Sequence, residues 1–438
     1  MTYSVPPPRN PAISTLGRLR PLFLVPSGAV TLLLLGWMTL PAFASDFSLH
    51  GFVESAGGIR VVDNPSQSKD ATLGEGRLQL ELSYDGPKGS RLFLKADAIG
   101  DGVKEKGEVD LREVYLSLSP FKLLDVRVGR QILTWGTGDL IFVNDLFPKD
   151  FVSFFIGRSL DYLKVGSDAV KFSLFPEPFS LDLVAIPHFT SSKVPTGERL
   201  STFDPFTNRI TARHRKLTTR KPSVSFENTE LALRLYRTFG SYEAALYGFR
   251  GSFKEPVGTD PVKQKLFFPE LSVYGFSVQG PLLRGVASAE FGYSDSREDR
   301  SGRDPFVENS SLKYLLGYEE QPWADFTVRA QYFLEQMLDF HAYQTSLPAG
   351  APKRNELRQV LFLRLTQLLR YQTVELSLVS FYSPSDEDGH LNPQASYKIT
   401  DPLSIALGAN FFLGRKDSTP FGQLDKNDNL YIRLRYSF

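Results

Sequence analysis

The sequence predicts an all-β fold: a transmembrane antiparallel β-barrel of about 18 strands, with short periplasmic turns and long extracellular loops. Three observations predict it. Apolar and polar residues alternate with period two from Phe47 to the C-terminus, in segments of about 9 to 12 residues, the length a tilted strand needs to cross a bilayer. The connections between those segments are alternately short and long. Aromatic residues make up 13% of the chain, with 35 Phe and 18 Tyr, while charged residues stay at 23%. A barrel with an apolar, aromatic-girdled outside and a polar inside uses that mixture. A soluble sandwich or propeller shares the strand spacing, but requires neither alternating connection lengths nor an export signal, and no blade-like repeat of about 40 to 50 residues is visible.

The first element is that export signal, residues 1–44. Arg9, Arg18 and Arg20 form a basic n-region, "AVTLLLLGWMTL" (Ala29 to Leu40) an apolar h-region, and "AFA" (Ala42 to Ala44) a small-x-small cleavage site. The alternative is a membrane anchor, but an apolar run of 12 residues is short for a helical span of about 20. Cleavage is expected, with a barrel over residues 45–438. No later window resembles a transmembrane helix, so the crossing falls to strands.

The strands follow in order. "GRLQLELSYDG" sets Leu78, Leu80, Leu82 and Tyr84 against Arg77, Gln79, Glu81 and Ser83. After the turn "DGPKGS", "RLFLKADAI" sets Leu92, Leu94, Ala96 and Ala98 against Arg91, Phe93, Lys95 and Asp97. The pattern continues through "VDLREVYLSLS", "LLDVRVGRQIL" and "DAVKFSLF" to "LSIALGANFFL" and the closing "LYIRLRYSF". Short connections such as "SPFK", "PEP" and "FGS" alternate with longer ones, the longest at 135–167 and 188–226. Short turns on one side and long loops on the other mark an outer-membrane barrel of a Gram-negative cell envelope, reached through the periplasm.

Composition excludes several chemistries. Cysteine is absent, so disulfides, thiolate metal sites and cysteine nucleophiles are excluded. Lys and Arg (50) balance Asp and Glu (49), leaving a net charge of +1 and no electrostatic case for nucleic acid. The five histidines, His50, His188, His214, His341 and His390, form no Ser/His/Asp or metal-ligand spacing. No enzyme activity, cofactor or metal is expected.

In a membrane barrel the polar parity meets the lumen. Its basic members are Arg77, Arg91, Lys95, Arg127, Lys171, Arg234, Arg329, Arg358, Arg364, Arg433 and Arg435. Its acidic members are Glu81, Asp97, Glu113, Asp182, Glu230, Glu243 and Glu375. Two readings follow. A cation surplus in a narrow passage concentrates anions, or the inward charges pair and brace the wall. The 135–167 connection carries Trp135, Phe142, Phe147, Phe151, Phe154 and Phe155; so many aromatics need burial, either by folding inward as a constriction or plug, or by capping the mouth or meeting a partner. The 188–226 connection holds Arg209, Arg213, Arg215, Lys216, Arg220 and Lys221. It is either a site for lipopolysaccharide phosphates, an anionic polymer or a partner, or a solvated charge run.

At "RVGRQILTWG" the residues Arg130, Gln131, Trp135 and Gly136 make a GRQ-x3-WG pattern that resembles outer-membrane porin-like barrels of the alginate-export kind. The resemblance implies passage of solutes or anionic exopolysaccharide through a positively charged, loop-gated lumen, with Arg130 and Gln131 as lumen or constriction groups. Arg130 shares parity with Val126 and Val128, so that role requires a bulge at Gly129. The terminal Tyr436 and Phe438 resemble the signal read by the barrel-assembly machinery.

The expected function is passive passage of small or polymeric, chiefly anionic solutes through a porin-like channel in contact with outer-membrane lipid and lipopolysaccharide. The alternatives are a sheath around a periplasmic electron-transfer or export partner, and a lipid-uptake channel, which the charged lumen disfavours. The sequence leaves the oligomeric state open.

Overall fold

The computed structural model describes residues 47–438; the expected signal peptide, 1–44, lies outside the described residues. Eighteen strands form one closed antiparallel sheet. In chain order they are β1 (Phe47–Arg60), β2 (Ala71–Asp85), β3 (Arg91–Asp101), β4 (Lys106–Phe121), β5 (Leu124–Gln131), β6 (Ser167–Leu174), β7 (Ser180–Ile186), β8 (Glu230–Phe239), β9 (Tyr242–Ser252), β10 (Glu270–Leu282), β11 (Gly285–Ser296), β12 (Ser311–Trp323), β13 (Phe326–Met337), β14 (Leu357–Leu369), β15 (Val374–Ser383), β16 (Asp388–Lys398), β17 (Leu403–Gly414) and β18 (Asn429–Ser437). Each pairs with its sequence neighbour, and β18 closes on β1 in register from Phe52 opposite Ser437 to Arg60 opposite Asn429. Closure leaves no unpaired sheet edge, a condition for strands in hydrocarbon.

Period-two patterning decides which side of the wall each residue meets. On β18, Leu430, Ile432, Leu434 and Tyr436 are 44–51% exposed on the outside, whereas inward Tyr431 and Arg433 are 5% and 8% exposed. The outward set on β2, β3 and β8 is likewise apolar, with Leu78, Leu92 and Leu231 exposed. This is the surface of an integral outer-membrane protein, apolar where lipid lies and polar within.

The eight connections at one end are two to five residues long. The other end carries the longer loops, including 132–166 and 187–229, but two of its connections, 102–105 and 384–387, are as short as turns. There the expected long loop is replaced by strands that run further: β3 and β4 pair as far as Asp101 opposite Lys106. The 187–229 and 253–269 loops are joined by a small sheet in which Lys265–Phe267 pairs with Gly258–Asp260 and with Thr219–Arg220.

Gly129 on β5 adopts φ +126, and a Cβ there would stand 2.3 Å from the Val114 carbonyl oxygen. The strained glycine inserts no extra residue: the ladder runs unbroken from Val126 through Val128 to Arg130. The bulge that would turn Arg130 inward is therefore absent.

Candidate functional site: a loop-constricted lumen

The wall's inward glycines and one buried carboxylate receive the 132–166 loop. Glu290 on β11 points into the barrel and is 4% exposed. It accepts backbone N–H groups from Thr137, from Gly138 at 2.8 Å and from Asn144 at 3.2 Å, and the Asn144 side-chain amide at 2.8 Å. Gly275 faces the same point, where a Cβ would collide with Asn144 Oδ1 at 1.9 Å. A charged acceptor buried in the wall is stable because these donors replace water.

Past Asn144 the loop carries its own internal bracing. Lys149 Nζ lies 2.9 Å from Asp145 Oδ1 and donates to the Phe147 carbonyl at 2.7 Å. Burial lowers the Lys149 pKa, opposed by Asp145. Asp150 then caps a short helix, α1 (Phe151–Phe155), accepting from Ser153 N at 2.8 Å. The helix is apolar because it lies against the opposite wall. Phe154 meets His390 edge-on at 5.2 Å between ring centroids, and Phe155 meets Phe412 at 5.5 Å. Asn429 on β18 donates to the Phe155 carbonyl at 3.0 Å. Beyond α1, Arg158 pairs with Glu75 on β2, and Tyr162 lies beneath the guanidinium groups of Arg77 and Arg112 at 4.1 and 4.2 Å. One loop thus touches β11, β16, β17, β18 and β2 before returning to β6.

The loop aromatics fall into two clusters. Trp135 and Phe147 pack with Tyr247 and Phe249, while Phe142, Phe151, Phe154 and Phe155 join the cluster around Phe381 and Phe412. Two cavities flank α1. A cavity of about 680 Å³ lies toward the loop end, bordered by Phe142, Phe155, Lys313, Glu335 and Arg358. Another of about 230 Å³ lies toward the turn end, bordered by Phe154, Arg364, Glu375, Gln394 and Arg433.

The inward cations lie where their parity placed them, whereas Arg130, given a lumen role against its parity, does not; most of the inward cations have carboxylate partners. Arg77 pairs with Glu75 and Asp97, Arg91 with Asp85 at 2.5 Å near the turn end, Lys95 with Glu81 at 2.7 Å, and Lys171 with Asp182 at 3.2 Å. Arg234 pairs with Glu243 at 2.7 Å, Arg358 with Asp386 at 2.9 Å, and Arg435 with Glu54 at 2.8 Å. Asp139 in the loop stands 3.6 Å from Arg329 and 2.9 Å from Arg364. Of the cations expected inward from parity, Arg127 and Arg433 stand in no ion pair among the described residues: Arg127 lies over the Tyr115 ring at 4.5 Å, and Arg433 donates to Gln394 Oε1 at 2.9 Å. The expected surplus of inward cations is thus largely neutralised. Glu54 lies mid-strand on β1 and Glu75 on β2, while Asp386 and Asp139 lie in connections; none of the four was among the acidic residues expected inward.

Arg130 is the exception, and its expected lumen role is corrected. It faces outward and forms a two-pronged pair with Asp168 on β6, at 2.7 and 3.0 Å. Gln131 faces inward, fully buried, donating to the Ala169 carbonyl at 3.2 Å. In the 187–229 loop, Arg215 pairs with Asp204 at 2.7 Å and Lys216 with Glu198 at 2.6 Å, while Arg220 covers Phe267 at 5.2 Å. Phe438 exchanges two backbone hydrogen bonds with Gly51, at 2.9 and 3.0 Å, on the outer edge of the β1–β18 seam. The residue that sequence reasoning missed is Glu290, a lone acid in the alternating "VASAEFGYS", whose only sequence signal is its inward parity.

The fold resembles solved outer-membrane porins. OccAB4 of Acinetobacter baumannii aligns with a TM-score of 0.54 at 9% identity, covering 91% of this chain and 100% of that one. OccAB3 of Acinetobacter baumannii aligns with 0.53 at 12% identity over 90% and 100%. OccK11 (OpdR) of Pseudomonas aeruginosa aligns with 0.52 at 9% identity over 90% and 97%. At such identities the likeness is one of fold. No family model and no curated protein matches the sequence.

Proposed function

We propose that this protein is a porin-like channel of the outer membrane, narrowed by the 132–166 loop and preferring small anionic solutes. Arg433 carries the reading: it borders the cavity on the turn side of α1, pairs with no carboxylate among the described residues, and keeps a buried Nε without a hydrogen-bond partner. A guanidinium held that way offers a carboxylate or phosphate the partner it lacks. The lining of the same cavity includes Arg364, whose Asp139 partner comes from the loop. The resemblance to alginate-export barrels puts uronates among the candidate solutes, since their carboxylates present the charge that Arg433 accepts. In this reading the protein passes solutes without catalysing any reaction, and its longer loops face the cell exterior.

Reversal potential across a planar bilayer under a KCl gradient tests the proposal. A potential of the sign set by chloride is expected; a cation-selective one defeats the anion preference. A second reading rests on Phe154 and Phe155, whose packing on His390 and Phe412 divides the axis. It makes the barrel a plugged sheath, and it prevails if no current passes under any voltage while a periplasmic partner co-purifies.

A further inference from the structure

The outer wall over β6 to β11 departs from the uniform apolar surface that lipid contact alone requires. Strand register places Phe172, Leu183, Leu233, Gly248, Tyr274 and Tyr293 side by side in one outward row. Gly248 leaves that row a gap, since a Cβ built there meets nothing within 4 Å. Leu233 and Tyr274 form the sides of the gap, and the resulting groove is about 800 Å³. One step nearer the loop end, about 7 Å along the strand, the next row holds Ala185, Leu231, Arg250, Ser272 and Asp295.

Arg250 stands directly beyond the groove floor, on the lipid side of the wall. Among the described residues it is in no ion pair, whereas Arg300 is held by Asp295 at 2.9 Å and Arg297 by Glu270 at 2.8 Å. Arg300 remains 68% exposed despite its partner. An arginine on a barrel's lipid face costs about 2–4 kcal/mol at the bilayer midplane and almost nothing at the interface. Arg250 therefore marks headgroup depth, where an unpaired guanidinium is open to a phosphate.

We propose that this groove binds a phosphorylated glycolipid of the lipid A class, with an acyl chain over Gly248 between Leu233 and Tyr274 and a phosphate on Arg250 and Arg300. Arginine forks match phosphate oxygens in two-pronged geometry, and the Gly248 gap gives a chain a bed that a flat leucine surface lacks. A lone acyl chain or a zwitterionic headgroup would use only half of these features. The proposal rests on the membrane-embedded channel reading, with the loop end outward.

The test is native mass spectrometry of the full chain in detergent, offered bisphosphorylated lipid A, the same lipid with both phosphates removed, or phosphatidylglycerol. The protein is expected to retain the bisphosphorylated form. Arg250→Gln with Arg300→Gln, and separately Gly248→Leu, should each weaken retention by at least about tenfold, the loss of one or more charge-assisted contacts or of the chain's bed. Heat-modifiable gel mobility checks that each variant is folded. Equal retention by folded variants overturns the proposal, as does equal retention of dephosphorylated lipid or of phosphatidylglycerol. Wild-type oligomers dispersed by Gly248→Leu with lipid retention unchanged would reassign the groove to a second copy of the chain. Bilayer currents recorded on the same variants should stay at wild-type selectivity, because these side chains face outward. A shifted selectivity would overturn that outward placement and the proposal with it, whereas no current in the wild type would defeat the channel reading alone.

Discussion

The side-chain amide of Asn144 donates to the Glu290 carboxylate at 2.8 Å, joining the tip of the inward loop to the barrel wall. The same carboxylate takes the backbone N–H groups of Gly138 and of Asn144 itself. Replacing Glu290 with Ala leaves these buried donors unpaired at about 1–3 kcal/mol each. The expected outcome is a lower unfolding temperature and a noisier channel of higher mean conductance, read from single-channel recordings. Unchanged conductance would show that the loop is held elsewhere.

Phe154 lies between the two cavities, edge-on to His390. Phe154→Ala should join them and raise conductance, at a local cost of about 3 kcal/mol for an emptied buried aromatic site. Larger neutral sugars should then enter in a liposome-swelling assay. If swelling rates match those of the wild type, the ring does not set the passage.

Of the inward cations that strand parity predicted, Arg433 and Arg127 are in no ion pair among the described residues, so Arg433→Gln with Arg127→Gln should move the reversal potential toward zero. Arg60 and Arg112, also inward and in no ion pair among those residues, donate to backbone carbonyls instead. Lys95→Gln supplies the contrast. It removes one positive charge, half the change of the double variant, from a site paired with Glu81 2.7 Å away, and should shift the reversal potential less. If anion preference persists in the double variant, it arises elsewhere on the wall.

Burial raises the pKa of Asp139 above its ordinary carboxylate value, opposed by Arg364 and Arg329. Its folded-state pKa exceeds its unfolded one, so the folded protein takes up this proton first as pH falls. This group's contribution to stability therefore grows with acidification and is lost as pH rises. Protonation also frees Arg364 of its counter-charge, while Arg329 keeps Glu319 as a partner, so anion preference should strengthen as pH drops toward the Asp139 pKa. Asp139→Asn should show the stronger preference at neutral pH and lose that pH dependence, as measured by reversal potentials across a pH series.

Removing Phe438 deletes the two hydrogen bonds to Gly51 and the last outward aromatic of the seam. Reduced assembly is expected, with unfolded chain accumulating before membrane insertion, as followed by protease accessibility and gel mobility. Normal assembly would dismiss the terminal residue as a signal.

Sequence alone determined a barrel of about eighteen strands and which parity of each strand meets lipid, because alternation is a local property of an extended backbone and a shift of one residue would put every charge into lipid; closure at eighteen came from the structure. Leu430, Ile432 and Leu434 needed no partner to be assigned outward. The inward loop was foreshadowed by its aromatics, which require burial, though not by anything naming its wall contacts. Tertiary structure decided the electrostatics. Whether Arg364 is free depends on Asp139, 225 positions earlier in the chain, and whether Arg435 is free depends on Glu54 across the closing seam. Ion pairs form by distance in space, which strand parity does not encode. Arg130 shows the reverse case: its parity pointed outward, the expected bulge would have overridden it, and Gly129 adopts a positive φ without changing register.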